Sequence, residues 1–233
     1  MSRPTVLLFD VDGTLISTDG AGRRALERAF AARHGSDAAC RFTLAGMTDR
    51  AIARAGLEGI GVDASEEAIT ALLEAYVGLL DAELRASRNF RVLGGIEAAL
   101  TAAASRPGFA VGLGTGNLRA GAQKKLLHAG LWERFAFGGF ADDSEERAAL
   151  VRAGAERGAR RLGAPLSRCR VVVIGDTPLD VAAARANGFE SFAVASGPVP
   201  LDELTASRPD HAFDSLAAAG SLERLLDGAG AGA

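Results

Sequence analysis

The chain has 233 residues, 48% of them hydrophobic, which is enough apolar material for one sizeable domain with an insertion or for two modest ones. Its 26 basic and 29 acidic residues leave a formal charge of −3, which gives no electrostatic footprint for a nucleic-acid or membrane partner. No signal peptide precedes the first charges and no apolar run approaches the roughly 20 residues that span a bilayer, so we expect a cytoplasmic protein.

Short apolar segments predict six strands, and several of them lack the alternation of a strand with one exposed face. They lie at 5–9, 109–113, 135–140, 170–175, 190–195 and 210–213. Helical patterns separate most of these segments, at about 94–106, 117–130, 145–162, 180–187 and 214–226. This alternation of strand and helix predicts an α/β fold with a doubly wound parallel sheet.

The segment after the first strand breaks the alternation, because it holds three helical patterns and no convincing strand. These patterns lie at 20–35, 48–60 and 65–87. The last one carries apolar residues at i, i+3, i+4 and i+7 behind Ser65, which is a plausible N-cap. We therefore expect residues 17–90 to form an all-helical cap, inserted into an α/β core made of 1–16 and 91–233.

Polar residues follow three of the predicted strands, at the edge where an open parallel sheet binds its ligands. They are Asp10 and Asp12 in "DVDGT", Thr115 and Asn117 in "GTGN", and Asp176 and Asp180 in "GDTPLD". Carboxylates at neighbouring strand ends suit Mg²⁺, which prefers oxygen ligands. A nearby hydroxyl, backbone amides and a guanidinium suit a phosphoryl group.

These motifs resemble those of the haloacid dehalogenase superfamily of phosphohydrolases, in the helical-cap subgroup that includes phosphoglycolate phosphatases. "DVDGT", "TGN" and "GDTPLD" match the first, second and fourth motifs of that superfamily in type and order, and the similarity covers essentially the whole chain. The resemblance implies a Mg²⁺-dependent phosphatase that hydrolyses a small phosphorylated metabolite through an aspartyl-phosphate.

The resemblance also implies roles for individual residues. Asp10 would be the nucleophile, and Asp12 would protonate the leaving oxygen and then activate water. Thr115, Gly116 and Asn117 would bind the phosphoryl group.

A metal site follows from the same resemblance. Asp10, Asp176 and the backbone carbonyl of Asp12 would bind Mg²⁺. Asp180 would either orient the water shell of the metal or ligate it directly.

The third motif departs from the family pattern, in which a lysine is usual. No lysine follows Lys125, and Arg147 in "SEERAALV" falls near the expected position, with Arg152 as the alternative. Arginine supplies the charge of lysine but not its compact geometry. The adjacent Lys124 and Lys125 are interpreted as part of a solvated helix face.

Other functions remain open at this stage. "GLGTGN" also suits a dinucleotide or methyl-donor cofactor, for which Asp142 and Asp143 would hold the ribose. A phosphomutase of the β-phosphoglucomutase type would use the same core residues, and a phosphometabolite-binding protein would use them without turnover. Asp12 argues against dehalogenation, which does not need a general acid at that position.

The substrate is not specified by the motifs. Within "FTLAGMTDRAI", Arg50 could bind a carboxylate or a second phosphate, which would fit phosphoglycolate, or it could be a solvated arginine. The sequence leaves open whether the protein is a monomer or a homodimer. The terminal "DGAGAGA", residues 227–233, is predicted to be a flexible tail.

Overall fold

A parallel sheet lies at the centre of the computed structural model, which describes residues 3–36 and 39–227. The strands are β1 (Thr5–Phe9), β2 (Ile16–Ser17), β3 (Arg91–Val92), β4 (Phe109–Gly114), β5 (Gly138–Gly139), β6 (Arg170–Gly175), β7 (Glu190–Val194) and β8 (His211–Phe213). Six of them form the sheet, in the order β5-β4-β1-β6-β7-β8 with every pairing parallel. The predicted α/β fold is confirmed, whereas the predicted tail falls almost entirely outside the described residues.

Helices cover both faces of this sheet. The helices of the described residues are α1 (Ala21–His34), α2 (Asp49–Gly59), α3 (Glu66–Ala86), α4 (Ile96–Ala104), α5 (Arg119–His128), α6 (Arg147–Arg161), α7 (Pro178–Ala186), α8 (Leu201–Ala206) and α9 (Ser221–Asp227), of which the first three lie in a separate layer. Side chains of β1 alternate between two apolar clusters, with Leu7 and Phe9 in one and Val6 and Leu8 in the other. Burial on both faces explains why this strand is an unbroken apolar run. None of the described helices is long and apolar enough to cross a membrane.

The first three helices form a separate layer with its own apolar cluster. We call residues 18–90 the helical insertion; within it, α1 packs mainly on α3. Ser65 caps α3 by accepting a hydrogen bond from the backbone N–H of Ala68 at 3.2 Å. The insertion leaves and rejoins the core through the antiparallel pair β2–β3, which was not predicted because two residues are too short to show a period.

The predicted strand at 135–140 shrinks to Gly138–Gly139. A Cβ on Gly139 would lie 1.8 Å from the backbone oxygen of Leu150 in α6, so the backbone here packs directly against a helix. The rings of Phe135 and Phe140 enter the core from outside the strand. Their hydrophobicity therefore reflects core packing and not a longer strand.

Candidate active site

The carboxyl ends of β4, β1 and β6 lie side by side in the sheet, and the residues that follow them form the candidate site. The parallel register keeps the three ends level. Asp10, Thr115 and Asp176 each directly follow one of these strands, and all three are buried. The structure therefore brings together the polar residues that the sequence placed at three strand ends.

The turn after β1 is shaped to approach the end of β6. Gly13 has φ +79°, a conformation that favours glycine, and a Cβ there would lie 2.2 Å from Oδ2 of Asp176. The hydroxyl of Thr14 donates a hydrogen bond to Oδ1 of Asp176 at 3.1 Å. The "DGT" of the first motif thus holds the carboxylate of the fourth.

Three buried carboxylates form a cluster at this edge. One oxygen each from Asp10, Asp176 and Asp180 lies within 4.8 Å of the others. Oδ1 of Asp10 is buried, and no described residue forms a hydrogen bond with it. Buried polar atoms are normally paired, so this orphaned oxygen indicates a missing ligand. The cluster offers the hard oxygen donors that a divalent cation such as Mg²⁺ requires.

Burial strongly affects the protonation of this cluster. It raises the pKa of Asp10 to about 6, against the opposing effect of the Arg147 guanidinium and with a further upward contribution from Asp180. Burial, followed by repulsion from Asp10 and Asp180, raises the pKa of Asp176 well above its usual value. The positive charge of Arg147 is therefore not enough to keep the pKa values of these buried carboxyl groups low. A divalent cation would supply the additional positive charge.

Arg147 lies at the first position of α6 and connects the cluster to the helical insertion. Its Nη2 is 3.0 Å from Oδ2 of Asp10 and 2.5 Å from Oδ1 of Asp180. Its Nη1 donates to the backbone oxygen of Gly46 at 2.9 Å. Arg152 instead has a side chain that is 59% exposed and pairs with Glu156 on the helix surface. The structure therefore brings Arg147, and not Arg152, to the predicted cation position.

Asp12 forms hydrogen bonds with two residues of the core. Its Oδ2 accepts hydrogen bonds from Nδ2 of Asn117 at 2.9 Å and from Nζ of Lys125 at 2.5 Å. Nδ2 of Asn117 also donates to the hydroxyl of Thr115 at 3.0 Å. The side chain of Asp12 is 40% exposed and faces the cavity beside the cluster.

The interpretation of Lys125 as a solvated residue is wrong. Its side chain is only 4% exposed, because α5 turns this residue toward the loop after β4. No sequence signal marks this burial, because α5 has no apolar stripe: Leu127 is 55% exposed, whereas Lys125 is buried beside Leu126. Lys124 is more exposed and pairs with Asp81 of α3.

A cavity of about 600 Å³ separates the acidic cluster from the helical insertion. The insertion supplies mainly apolar walls, which are Leu26, Phe42, Leu44, Met47 and Ile52. Asp49, at the start of α2, connects the insertion to the core by two hydrogen bonds. Its backbone N–H donates to the backbone oxygen of Gly116 at 2.7 Å, and its Oδ2 accepts from the backbone N–H of Leu118 at 2.7 Å. The walls suit the leaving group of a small substrate.

Arg50 is not brought to this cavity. Its guanidinium pairs with Glu66 at the start of α3, because the helical register of α2 turns Arg50 away from the cavity wall formed by Asp49 and Ile52. Arg23 of α1 lines the cavity instead, and its guanidinium donates to the backbone oxygens of Cys40 and Phe42. The substrate-binding role predicted for Arg50 has no geometric support.

Comparison with known proteins gives the family. The family model described as haloacid dehalogenase-like hydrolase matches residues 4–188. The chain belongs to the haloacid dehalogenase-like hydrolases. The match runs from β1 through the helical insertion to the end of α7, so it includes every residue of the acidic cluster. No curated protein matches this haloacid dehalogenase-like hydrolase in sequence.

Solved structures share the fold of this haloacid dehalogenase-like hydrolase at low sequence identity. A predicted phosphatase from Clostridium acetobutylicum superposes with a TM-score of 0.70 at 20% identity, covering 97% of this chain and 100% of its own. A predicted phosphoglycolate phosphatase from Haemophilus somnus superposes with a TM-score of 0.66 at 17% identity, and the match covers 93% of this chain and 96% of its own. CbbY from Rhodobacter sphaeroides, in complex with phosphate, superposes with a TM-score of 0.68 at 21% identity, and the match covers 94% of this chain and 97% of its own.

Proposed function

We propose that this hydrolase is a Mg²⁺-dependent phosphatase that cleaves a small phosphate monoester through an aspartyl-phosphate on Asp10. The observation that carries the proposal is the buried, unpartnered Oδ1 of Asp10, which lies beside two further carboxylates and the Arg147 guanidinium. An oxygen without a hydrogen-bond partner has its lone pairs available for attack on phosphorus or for a metal ion. The names of the structural neighbours agree with this class of reaction.

In the first step, a carboxylate oxygen of Asp10 forms a bond to phosphorus while the bond from phosphorus to the leaving oxygen breaks. Asp12 donates its proton to that oxygen, so the product leaves as an alcohol. In the second step, Asp12 takes a proton from water as the water attacks phosphorus. The bond between phosphorus and Asp10 then breaks, which releases inorganic phosphate and restores the carboxylate.

The remaining residues bind and neutralise the phosphoryl group. The buried hydroxyl of Thr115 and the backbone amides of the loop after β4 would hold its oxygens, and Arg147 would offset the repulsion between Asp10 and the phosphate. A bound Mg²⁺ would supply further charge neutralisation there.

The metal ligands would be Asp10, Asp176 and the backbone carbonyl of Asp12. Both oxygens of Asp180 already accept hydrogen bonds, Oδ1 from Arg147 and Oδ2 from Thr177 at 2.7 Å. This favours the orienting role for Asp180 over direct ligation.

The test is phosphate release from a panel that includes phosphoglycolate, sugar phosphates, nucleotides and 4-nitrophenyl phosphate, with Mg²⁺ or with EDTA. We expect turnover that EDTA abolishes. Asp10→Asn should fold normally and lose essentially all turnover, because an amide oxygen is a poor nucleophile. A phosphorylated form of the protein, whose acyl-phosphate bond hydroxylamine cleaves, should accumulate in rapid-quench samples of the wild type. The variant should not form it.

Three results would contradict the proposal: no turnover of any ester, turnover that survives EDTA, or normal rates in a well-folded Asp10→Asn protein. A transfer of phosphate to a second sugar hydroxyl, without net phosphate release, would instead identify a phosphomutase.

A further inference from the structure

Lys125 is a buried ammonium group that the family motifs do not account for. It lies on the buried side of α5, and its side chain is 4% exposed. Burying an unpaired ammonium is strongly unfavourable, so such a residue needs anionic or polar partners. Burial by itself would lower the pKa of Lys125, but the carboxylate of Asp12 raises it, so the group stays charged.

Lys125 and one of its partners both form hydrogen bonds with the same oxygen of Asp12. Nζ lies 2.5 Å from Oδ2 of Asp12 and also donates to Oδ1 of Asn117. Asn117 in turn donates from Nδ2 to that same Oδ2 at 2.9 Å. Both donors reach Oδ2, so they hold the carboxylate by one oxygen and leave Oδ1 without either contact, on a residue that lines the cavity.

The helical insertion completes the surroundings of this ammonium group. The hydroxyl of Tyr76 on α3 and the carboxylate of Asp49 on α2 both lie beside Lys125. Gly22 of α1 also lies next to it, since a Cβ there would make an ordinary van der Waals contact with Nζ at 3.4 Å. Residues from all three helices of the insertion therefore lie beside this ammonium group.

We propose that Lys125 is a positioning residue that holds Asp12 for proton transfer to the leaving oxygen. This inference rests on the proposed phosphatase function. Lys125 fixes Oδ2, so that Oδ1 carries the proton to the departing alcohol and later receives one from water. No bond to Lys125 forms or breaks in either step.

Leaving groups distinguish this role from a structural one. An alkoxide is a poor leaving group and needs a well-placed acid, whereas 4-nitrophenoxide leaves readily without protonation. Loss of positioning should therefore reduce turnover of an alkyl phosphate far more than turnover of 4-nitrophenyl phosphate. General damage to the fold or to phosphate binding would reduce both alike.

The experiment compares Lys125→Met with Lys124→Met, a matched control at the neighbouring, partly exposed lysine that pairs with Asp81 and does not contact Asp12. The two substrates are 4-nitrophenyl phosphate and the best alkyl phosphate of the panel, each at saturating Mg²⁺. For Lys125→Met we expect kcat to fall by roughly 10²-fold or more on the alkyl ester and by less than about tenfold on the aryl ester, with KM changed little. Lys124→Met should stay within about twofold of the wild type on both.

Lys125→Gln is the second variant in case Lys125→Met fails to fold, since its amide still donates to Asp12. It should show a smaller loss with the same difference between the two esters. Equal losses on both esters, or no loss, in a folded Lys125 variant would overturn the positioning role while leaving the phosphatase function standing. A wild type without phosphatase activity would overturn both.

Discussion

Arg147 is the residue at which the chain departs most from its family pattern, and its contacts show what an arginine does there. Nε and Nη2 both donate to Oδ1 of Asp180, while Nη2 also reaches Asp10. Nη1 reaches the backbone of Gly46 in the helical insertion at the same time. A single ammonium has no comparable planar arrangement of donors, so arginine can serve three partners where lysine would serve fewer.

We predict that Arg147→Ala loses on the order of 10² or more in kcat, because the repulsion between Asp10 and the phosphate is no longer offset. Arg147→Lys should recover only part of the loss, since it cannot keep all three contacts. Arg152→Ala, which removes an exposed surface pair, should remain close to the wild type. Steady-state kinetics on one good substrate check the series, and near-normal rates for a folded Arg147→Ala protein would contradict it.

The sequence identified Arg147 and misjudged Lys125 because the positions of the two residues are specified in different ways. Arg147 stands at a position that the order of motifs specifies, whereas Lys125 is recognised only from the direction in which α5 faces. A lysine on a helix that packs against other elements can extend its head group to water or bury it against a partner. Only the approach of Asp12, across more than a hundred residues of sequence, decides between these two outcomes.

At the scale of elements, the packing of α6 on β5 determines where Arg147 lies. Gly139 and Gly154 approach each other so closely that a Cβ on Gly139 would also lie 2.9 Å from the backbone nitrogen of Gly154. Backbone atoms cannot move aside as a flexible side chain can. The helix that begins with Arg147 is thus seated directly on the edge strand.

We therefore predict that Gly139→Ala lowers the free energy of unfolding by about 3 kcal/mol, as expected for overpacking against backbone atoms. It should also reduce kcat, since α6 must shift and takes Arg147 with it. The matched control is Gly78→Ala in the middle of α3, where a Cβ would meet nothing within 4 Å.

Gly78→Ala should raise the free energy of unfolding by about 0.5–1 kcal/mol, because alanine has the higher helix propensity. Urea denaturation of both proteins and the wild type gives the comparison. A Gly139→Ala protein as stable as the wild type would show that α6 is not in backbone contact with β5.

At the scale of the whole molecule, the acidic cluster opposes folding in the absence of metal. Folding raises the pKa of Asp10 to about 6 and that of Asp176 well above its usual value, both chiefly through burial. The folded state then binds protons that the unfolded chain releases near pH 4. The stabilising contribution of these protons is present below about pH 4 and is lost as the pH rises through 6 and beyond.

We predict that Asp176→Asn, without metal at pH 7.5, melts above the wild type, since the neutral amide replaces a carboxylate whose charged form burial and repulsion disfavour. The amide oxygen can still accept the hydrogen bond from Thr14. The difference between the two proteins should shrink as the pH falls toward 4. Differential scanning calorimetry in EDTA, over a series of pH values, measures it.

Added Mg²⁺ should reverse the order of the two melting temperatures at pH 7.5. The metal would stabilise the folded wild type by mass action, whereas the variant would bind it more weakly because one ligand is missing. The shift in the melting temperature of the wild type should be smaller at pH 5, where protons compete for the same oxygens. A variant that is less stable than the wild type in EDTA at pH 7.5 would contradict this account of the cluster.

The sequence by itself determined the α/β architecture, and it predicted helices after the first strand and polar residues at one edge of the sheet. Strand burial on both faces leaves continuous apolar runs, and parallel strands bring the residues after them to one edge, so Asp10, Thr115 and Asp176 could be grouped without coordinates. These inferences depend on local patterns and on the general rule that neighbouring strand ends meet.

Only the tertiary structure decided which charged side chains face the site. Arg50 pairs with Glu66 away from the cavity, Lys125 is buried against Asp12, and Arg23 lines the cavity. Each outcome depends on how the helices of the insertion are rotated and seated on the core, which follows from packing between residues distant in sequence. A long charged side chain carries no local signal of its partner, so its role is fixed only when the fold brings that partner within a few ångströms.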